Sequence, residues 1–432
     1  MPVALAALLL AAPSAADRGR VALEGTAFIR GFWPAAAYKQ VWKQWGPGDK
    51  PADLTAAVAE RFGLHPAPYP NGGYPMGLRA APYLFTAGVG IDCMTCHGGS
   101  IMGESKVGLG NTSLDIHALF TDLARASGAG AAPPFAFSQV RGTSEAGAFS
   151  VYLLGLRKPD LSLADKPADL GLADDSVEDV PAWWLLKKKR TMYHTGATDA
   201  RSVRSIMQFL MHPLTTRAEF DAAEPRFRDV LEYILSIEPP KYPFPVDAAL
   251  ADRGKAVFTE TCASCHGTYG ETPTYPNKVV PLADIGTDPK RHENIGAKFG
   301  HAYNASWFAQ EEPGGKPVKA TAGYQAPPLD GVWATAPYLH NGSVPTLAGM
   351  LDSTARPRVF TRSFRTGEVD YDRERVGWKV TECPPPGPGT SGFERRKVYD
   401  TNQPGRGNGG HTYGDHLTAD ERWSVVEYLK TL

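Results

Sequence analysis

Apolar positions recur at helical spacing in two stretches that resemble each other. In FRDVLEYILSIEPP, Phe227, Val230, Leu231, Ile234 and Ile237 share one helical face, and the closing LTADERWSVVEYLKTL does the same with Val425, Val426, Leu429 and Leu432. Thr418 and Glu421 have the spacing of a capping box at the start of the second helix. A further amphipathic stretch, ALADRGKAVFTETC, carries Ala256, Val257 and Phe258. The alternation typical of strands is scarce, and Gly- and Pro-rich tracts occupy 127–134, 269–281, 311–328 and 383–391. This pattern predicts a mainly α protein with long irregular loops.

Punctuation divides the chain. Prolines 239, 240, 243 and 245 forbid a helix and impose an extended connector. The reading is a first domain over 17–238, a Pro-rich linker over 239–247 and a second domain over 248–432. Residues 3–12 are apolar but too few to span a bilayer, and small residues around Ser14 and Ala16 suit cleavage before Asp17. Residues 1–16 therefore read as a signal peptide, although no Lys or Arg precedes the apolar run. The expected location is periplasmic or secreted, with no membrane span in the mature chain.

The 432 residues include 45 Lys and Arg against 46 Asp and Glu, a formal net charge of −1. That balance offers no basic surface for nucleic acid.

Four of the five cysteines lie in two copies of Cys-x-x-Cys-His, Cys93-Met-Thr-Cys96-His97 and Cys262-Ala-Ser-Cys265-His266. A zinc half-site would need two further ligands near each copy. One shared four-cysteine site would leave both adjacent histidines without a role, and a thioredoxin-like pair belongs at a helix start after a strand. Haem attachment accounts for all three residues. Two thiols one turn apart add to the two vinyl groups of a haem, and the next residue turns its imidazole onto the iron. Cys93 and Cys96 would then hold one haem with His97 on its metal, and Cys262 and Cys265 a second with His266. Cys383, in TECPPPGPG, is left as a lone thiol.

The ligand opposite each histidine decides between electron transfer and reaction with oxygen or peroxide. For the second site the candidates are His292, His301, His340, Met350, His411 and His416. His411, in GRGNGGHTYGDHL, is favoured because glycines let backbone approach a flat ligand closely, with His340 and Met350 as alternatives. For the first, PAWWLLKKKRTMYHTGATDARSVRSIMQFLMHPL supplies Trp183, Trp184, Tyr193, Met207, Phe209 and Met211 as pocket walls. Arg201 and Arg204 would serve as donors to propionates or to a bound O–O group, and His194 as a ligand that would close the site.

The two motifs, together with GVWATAPYLHNGSVPTL and GNGGHTYGDHLTADERWSVVEYLKTL, resemble the bacterial di-haem cytochrome c peroxidase superfamily. The nearest branch is that of the rubber oxygenases and fatty-acid dioxygenases. The resemblance implies two cytochrome c-like haem domains, the first lacking the usual lead-in helix. It implies His411 as distal ligand, His340 in the second haem's surroundings, and an inter-haem tryptophan at Trp183 or Trp184 ahead of Trp333. It also implies an enzyme acting on hydrogen peroxide or dioxygen at the His97 haem, with Arg201, Arg204 and Trp184 as catalytic candidates. Calcium between the domains accompanies some relatives. A small electron-donor protein, or a small-molecule or lipid substrate, is the expected partner. A non-catalytic periplasmic electron carrier is the alternative reading.

Overall fold

A computed structural model describes residues 12–128, 135, 137–173 and 175–432. The apolar signal stretch lies outside the described residues except for Ala12, as does most of the 127–134 tract.

Two helix pairs frame the molecule. Helix α1 (Ala15–Gly25) packs against α2 (Arg217–Ser236), and α3 (Ala248–Thr261) against α4 (Ala419–Lys430). The crossings are copies of one device. Asp17-Arg18-Gly19 recurs as Asp252-Arg253-Gly254, and Asp229-Val230-Leu231-Glu232-Tyr233 answers Ser424-Val425-Val426-Glu427-Tyr428. A Cβ on Gly19 would stand 1.9 Å from the Asp229 carbonyl oxygen, and one on Gly254 would stand 1.8 Å from that of Ser424. Only glycine allows backbones this close. The apolar faces read from the sequence are the buried ones, Phe227, Val230, Leu231 and Ile234 on α2 and Val425, Val426 and Leu429 on α4. Capping boxes start α1, α2 and α4, the last made by Thr418 and Glu421. On α3 the buried stripe is Ala251, Gly254 and Phe258, and Ala256 faces outward.

The expectation of a mainly α protein is overturned. With 38% helix and 14% strand, the fold is mixed α/β with several small sheets. Strand β1 (Leu78–Tyr83) pairs antiparallel with β2 (Thr86–Ile91), whose other edge holds Trp33–Pro34. The remaining strands among the described residues are two to four residues long, too short to show alternation. In the long hairpin, glycines replace the β-branched residues that would have signalled strands. A Cβ on Gly88 would meet the Tyr83 Cβ at 2.3 Å.

Between Ser236 and Ala248 the chain has no helix or strand. The cores nonetheless draw on both sides of this linker. Phe220, Phe227 and Val230 share one with Phe299, Tyr303, Trp307 and Phe308, and Trp184 and Leu185 share another with Trp333, Tyr338 and Val425. Among the described residues no helix is long and apolar enough to cross a membrane.

The crossings make a direct test. Gly254→Ala, like Gly19→Ala, forces helix backbones apart and is expected to lower stability by about 3 kcal/mol in denaturant unfolding. Gly300→Ala lies within a helix with nothing inside 4 Å of the new methyl, and should raise stability by about 0.5–1 kcal/mol. Equal effects at Gly254 and Gly300 would show that the crossings are not tight.

Candidate cofactor cavity

Both Cys-x-x-Cys-His motifs open onto one continuous cavity of about 680 Å³, within the roughly 300–1,000 Å³ usual for a small-molecule or cofactor site. They arrive there by different routes. Cys262 is the C-cap of α3, its N–H donating to the Phe258 carbonyl, so the helix that makes the glycine crossing runs straight into the second motif. The first motif is delivered by the hairpin instead. Asp92, one residue past β2, accepts from the Met94 N–H at 2.9 Å and pairs with Arg79. Thr95 donates to the Gly77 carbonyl at 2.6 Å, and Asn111 donates its N–H to the Cys96 carbonyl at 2.7 Å.

Each histidine is oriented by its own surroundings. His266 donates from Nδ1 to the Pro327 carbonyl at 2.8 Å, which leaves the lone pair on Nε2. The ring of His411 faces it at 6.2 Å between centroids. Imidazoles bound to opposite sides of one metal by bonds of about 2.0–2.1 Å, the usual histidine–metal length, have ring centres roughly 6.3 Å apart. The pair therefore fits a six-coordinate iron. His97 stacks on Trp183 at 4.8 Å and 26°. Its main chain reaches the same tryptophan through Gly108, which donates to the His97 carbonyl and accepts from the Trp183 N–H, both at 2.7 Å. The Pro181 carbonyl interacts with the His97 ring, while Nδ1 is buried without a partner in hydrogen-bond geometry. Burial lowers the pKa of His97 and of His411 to about 4, holding both neutral and able to ligate.

The thiols are unlike those of a redox pair. Burial pushes Cys93 and Cys96 up to about 12 and Cys262 to about 11, whereas reactive thiolates need the opposite shift. All five cysteines are free of disulfides. Among the described residues no three His, Cys, Asp or Glu side chains gather closely enough for a metal ion. The shared four-cysteine zinc site does not form, and no cluster of three carboxylates gathers among the described residues. Two thiols and an imidazole on each of two cavity walls fit haem.

The loop that presents His411 has no helix or strand from 401 to 417. Gly410 and His411 both take left-handed backbone, at φ +71° and +47°, the latter strained by about 1–3 kcal/mol for a residue with a side chain. A Cβ at Gly410 would lie 2.2 Å from the backbone of Gly286, and the His411 N–H donates to the Ile285 carbonyl at 2.7 Å. Arg356, buried at 7% exposure, donates to the carbonyls of Gly349, Asn408, Gly410 and His411 at 2.6–3.1 Å.

Two of the other candidate ligands sit together at a polar end of the cavity. His340 stacks on Tyr324 at 4.0 Å, with Nε2 buried and unpartnered, and its ring lies 6.3 Å from that of His194. His194 donates from Nε2 to the Asp179 carbonyl at 2.8 Å, and burial lowers its pKa to about 3. Burial raises the Asp179 carboxyl well above its usual range and lowers Lys189 to about 8. Arg291 and Glu178 form a buried ion pair at 2.6 Å without hydrogen-bond alignment. Met350 also lines the cavity.

The three catalytic candidates do not. Arg201 gives its guanidinium to the carbonyls of Leu186 and Lys187, at the end of the turn Trp183–Lys188. Arg204 pairs with Glu224 at 3.1 Å and lies over the Trp307 ring. Trp184 is buried and donates to the Asp330 carbonyl, while its neighbour Trp183 touches His97. Trp333 donates to the Pro240 carbonyl in the linker. The sequence reading missed Pro327 and Pro181, whose carbonyls face the two motif histidines. It also missed Arg356, Arg291 and Asp179. The signal for Pro327 was APPLDG, where consecutive prolines hold a carbonyl without an N–H of their own.

Comparisons with known proteins agree in part. Residues 323–361 match a family model described as RoxA-like, cytochrome c-like. Two uncharacterised proteins of Sinorhizobium fredii are similar. For y4iM the identity is 31% over 47% of this chain and 53% of the relative, and for y4iJ it is 28% over 45% and 41%. The chain spans about half the length of these relatives. Hydrazine synthase of Kuenenia stuttgartiensis aligns over 67% of this chain and 88% of its own at 13% identity, with a TM-score of 0.25 that carries no argument. The cytochrome c-like segment supports a haem-containing oxidoreductase.

Arg204→Ala separates the roles. It should cost on the order of 2 kcal/mol through the broken, mostly buried pair and leave haem content and absorption spectrum unchanged. A lost or shifted spectrum in a protein of undiminished stability would return Arg204 to the cavity.

Proposed function

We propose that this chain is an exported di-haem c-type oxidoreductase acting on hydrogen peroxide or dioxygen, in which Cys262, Cys265 and His266 would hold a haem that serves electron transfer and Cys93, Cys96 and His97 would hold the reactive one. One observation carries the reading: His411 presents a second imidazole 6.2 Å from the ring of His266, whereas among the described residues His97 has no imidazole in ring contact with it, its ring neighbour being the indole of Trp183 stacked on its face.

The bound haems supply the redox chemistry. The chain supplies ligation, shielding and charge. Phe120, Phe137, Phe149, Ile206 and Phe209 line the cavity and exclude water, which suits an apolar substrate as well as a peroxide. At neutral pH His194 and His340 are uncharged, and burial shifts the Asp179 carboxyl toward its protonated form, so the polar end offers neutral hydrogen-bonding groups beside the Arg291–Glu178 ion pair. Trp183 and Trp184 join the two sites on their histidine side. Trp183 stacks on His97, and Trp184 donates to Asp330, three residues from the carbonyl that accepts from His266. At the other end, exposed Ser264 and the 41% exposed Tyr413 border the second motif, where a small electron-donor protein would approach.

His194 favours a second reading. Ligation of the first iron by His194, with His340 left among the second site's surroundings, would close it and make the chain an electron carrier.

Mass measurement after expression with haem-attachment machinery should find two haems. Replacing Cys93 with Cys96, or Cys262 with Cys265, by Ala should remove one haem each, and bound zinc in place of haem would sink the proposal. Turnover of peroxide with a reduced cytochrome as donor should disappear in His97→Ala while the second haem stays attached. No turnover in the wild type, with two low-spin ferric signals, would select the carrier.

A further inference from the structure

We infer that Arg356 is the positioning residue for His411, and that its single guanidinium keeps the second site six-coordinate. This rests on His411 being the axial ligand opposite His266.

The loop holding His411 has no ladder of its own, so its conformation must be fixed from outside. Its backbone runs left-handed at Gly410 and His411, which turns two successive carbonyls to the same side. Both point at Arg356. Nη1 donates to Asn408 at 2.6 Å and Gly410 at 2.8 Å, Nη2 to His411 at 3.1 Å, and Nε reaches back to Gly349 at 2.8 Å. Gly349 belongs to the helix Leu347–Leu351, which also carries the cavity residue Met350. One planar fork thus fastens the ligand loop to a helix in the cavity wall, a task that its rigid set of donors suits and that a lysine performs only in part. No carboxylate pairs directly with Arg356 among the described residues, so its hydrogen bonds are spent on backbone. Arg422 offers an internal comparison. It donates to the carbonyls of Gly414 and Asp415, beyond His411 in the same loop, and pairs with Asp352. It holds the loop without touching the ligand residue or the residues just before it.

The test is low-temperature electron paramagnetic resonance of the oxidised holoprotein, with imidazole as the probe. Arg356→Ala should retain both haems, convert the low-spin signal of the His266 site to high-spin, and return to low-spin on addition of imidazole. Arg422→Ala should keep the wild-type signal. Arg356→Lys should stay low-spin, while the imidazole concentration needed to displace His411 falls by about tenfold, the effect of one lost charge-assisted hydrogen bond. If Arg356→Ala does not accumulate with haem, the lysine variant decides alone, and an unchanged imidazole requirement overturns the inference. A wild-type signal in Arg356→Ala overturns it as well, provided His411→Ala turns high-spin. If His411→Ala itself keeps the wild-type signal, the axial assignment fails and takes the inference with it.

Discussion

Two backbone-to-backbone crossings at glycine set where everything else can stand. At Gly19 and Gly254 the helices approach so closely that a methyl group would overlap a carbonyl oxygen. Each crossing fixes the terminal helix of a half against its opening helix, and the space left beside the two frames is the cavity. The frames are alike, yet what they deliver differs. Helix α3 runs into Cys262 directly, whereas more than sixty residues, including the hairpin β1–β2, separate α1 from Cys93. An identical scaffold with unequal delivery is how one chain can hold two chemically unequal sites.

That inequality shows in what meets each histidine. His266 has a firm hydrogen bond to Pro327 on one side and the imidazole of His411 across the cavity, while His97 has an indole against its ring and a looser approach to Pro181. Outer partners of this kind tune a ligated metal as much as the ligands do. Burial keeps the histidines of both sites neutral, so ligation needs no displaced proton near neutral pH.

The parts of this arrangement that rest on local chemistry could be read from the sequence. The two pentapeptides, the proline connector, the apolar faces of α2 and α4 and the Thr418–Glu421 box all depend on neighbours within a few residues. The parts that depend on distant partners could not. Arg201 and Arg204 looked like pocket cations because they share a segment with Trp183, but their charges are absorbed by carbonyls and by Glu224 across the fold. The glycines ahead of the first motif were read as leaving it without a lead-in helix, and a hairpin stands there; that the counterpart of α3 lies far upstream as α1 was hidden by the residues inserted after it. Asp17-Arg18-Gly19 was read only as the edge of a signal peptide, although its repetition at Asp252 marked the same crossing. Strands were underestimated because glycines such as Gly88 suit close pairing and carry no strand signature.

The shared cores have a consequence for how the molecule comes apart. A tandem array normally melts unit by unit, since each repeat is stabilised by itself and its immediate neighbour. Here Phe299, Tyr303, Trp307 and Phe308 complete a core begun by Phe220 and Phe227, and Trp184 and Leu185 complete one that belongs mostly to the other half. Neither half can lose its packing without uncovering apolar surface in the other. A chain written as two copies is thereby made into a single cooperative unit, and the linker between them is a strap across the outside of it.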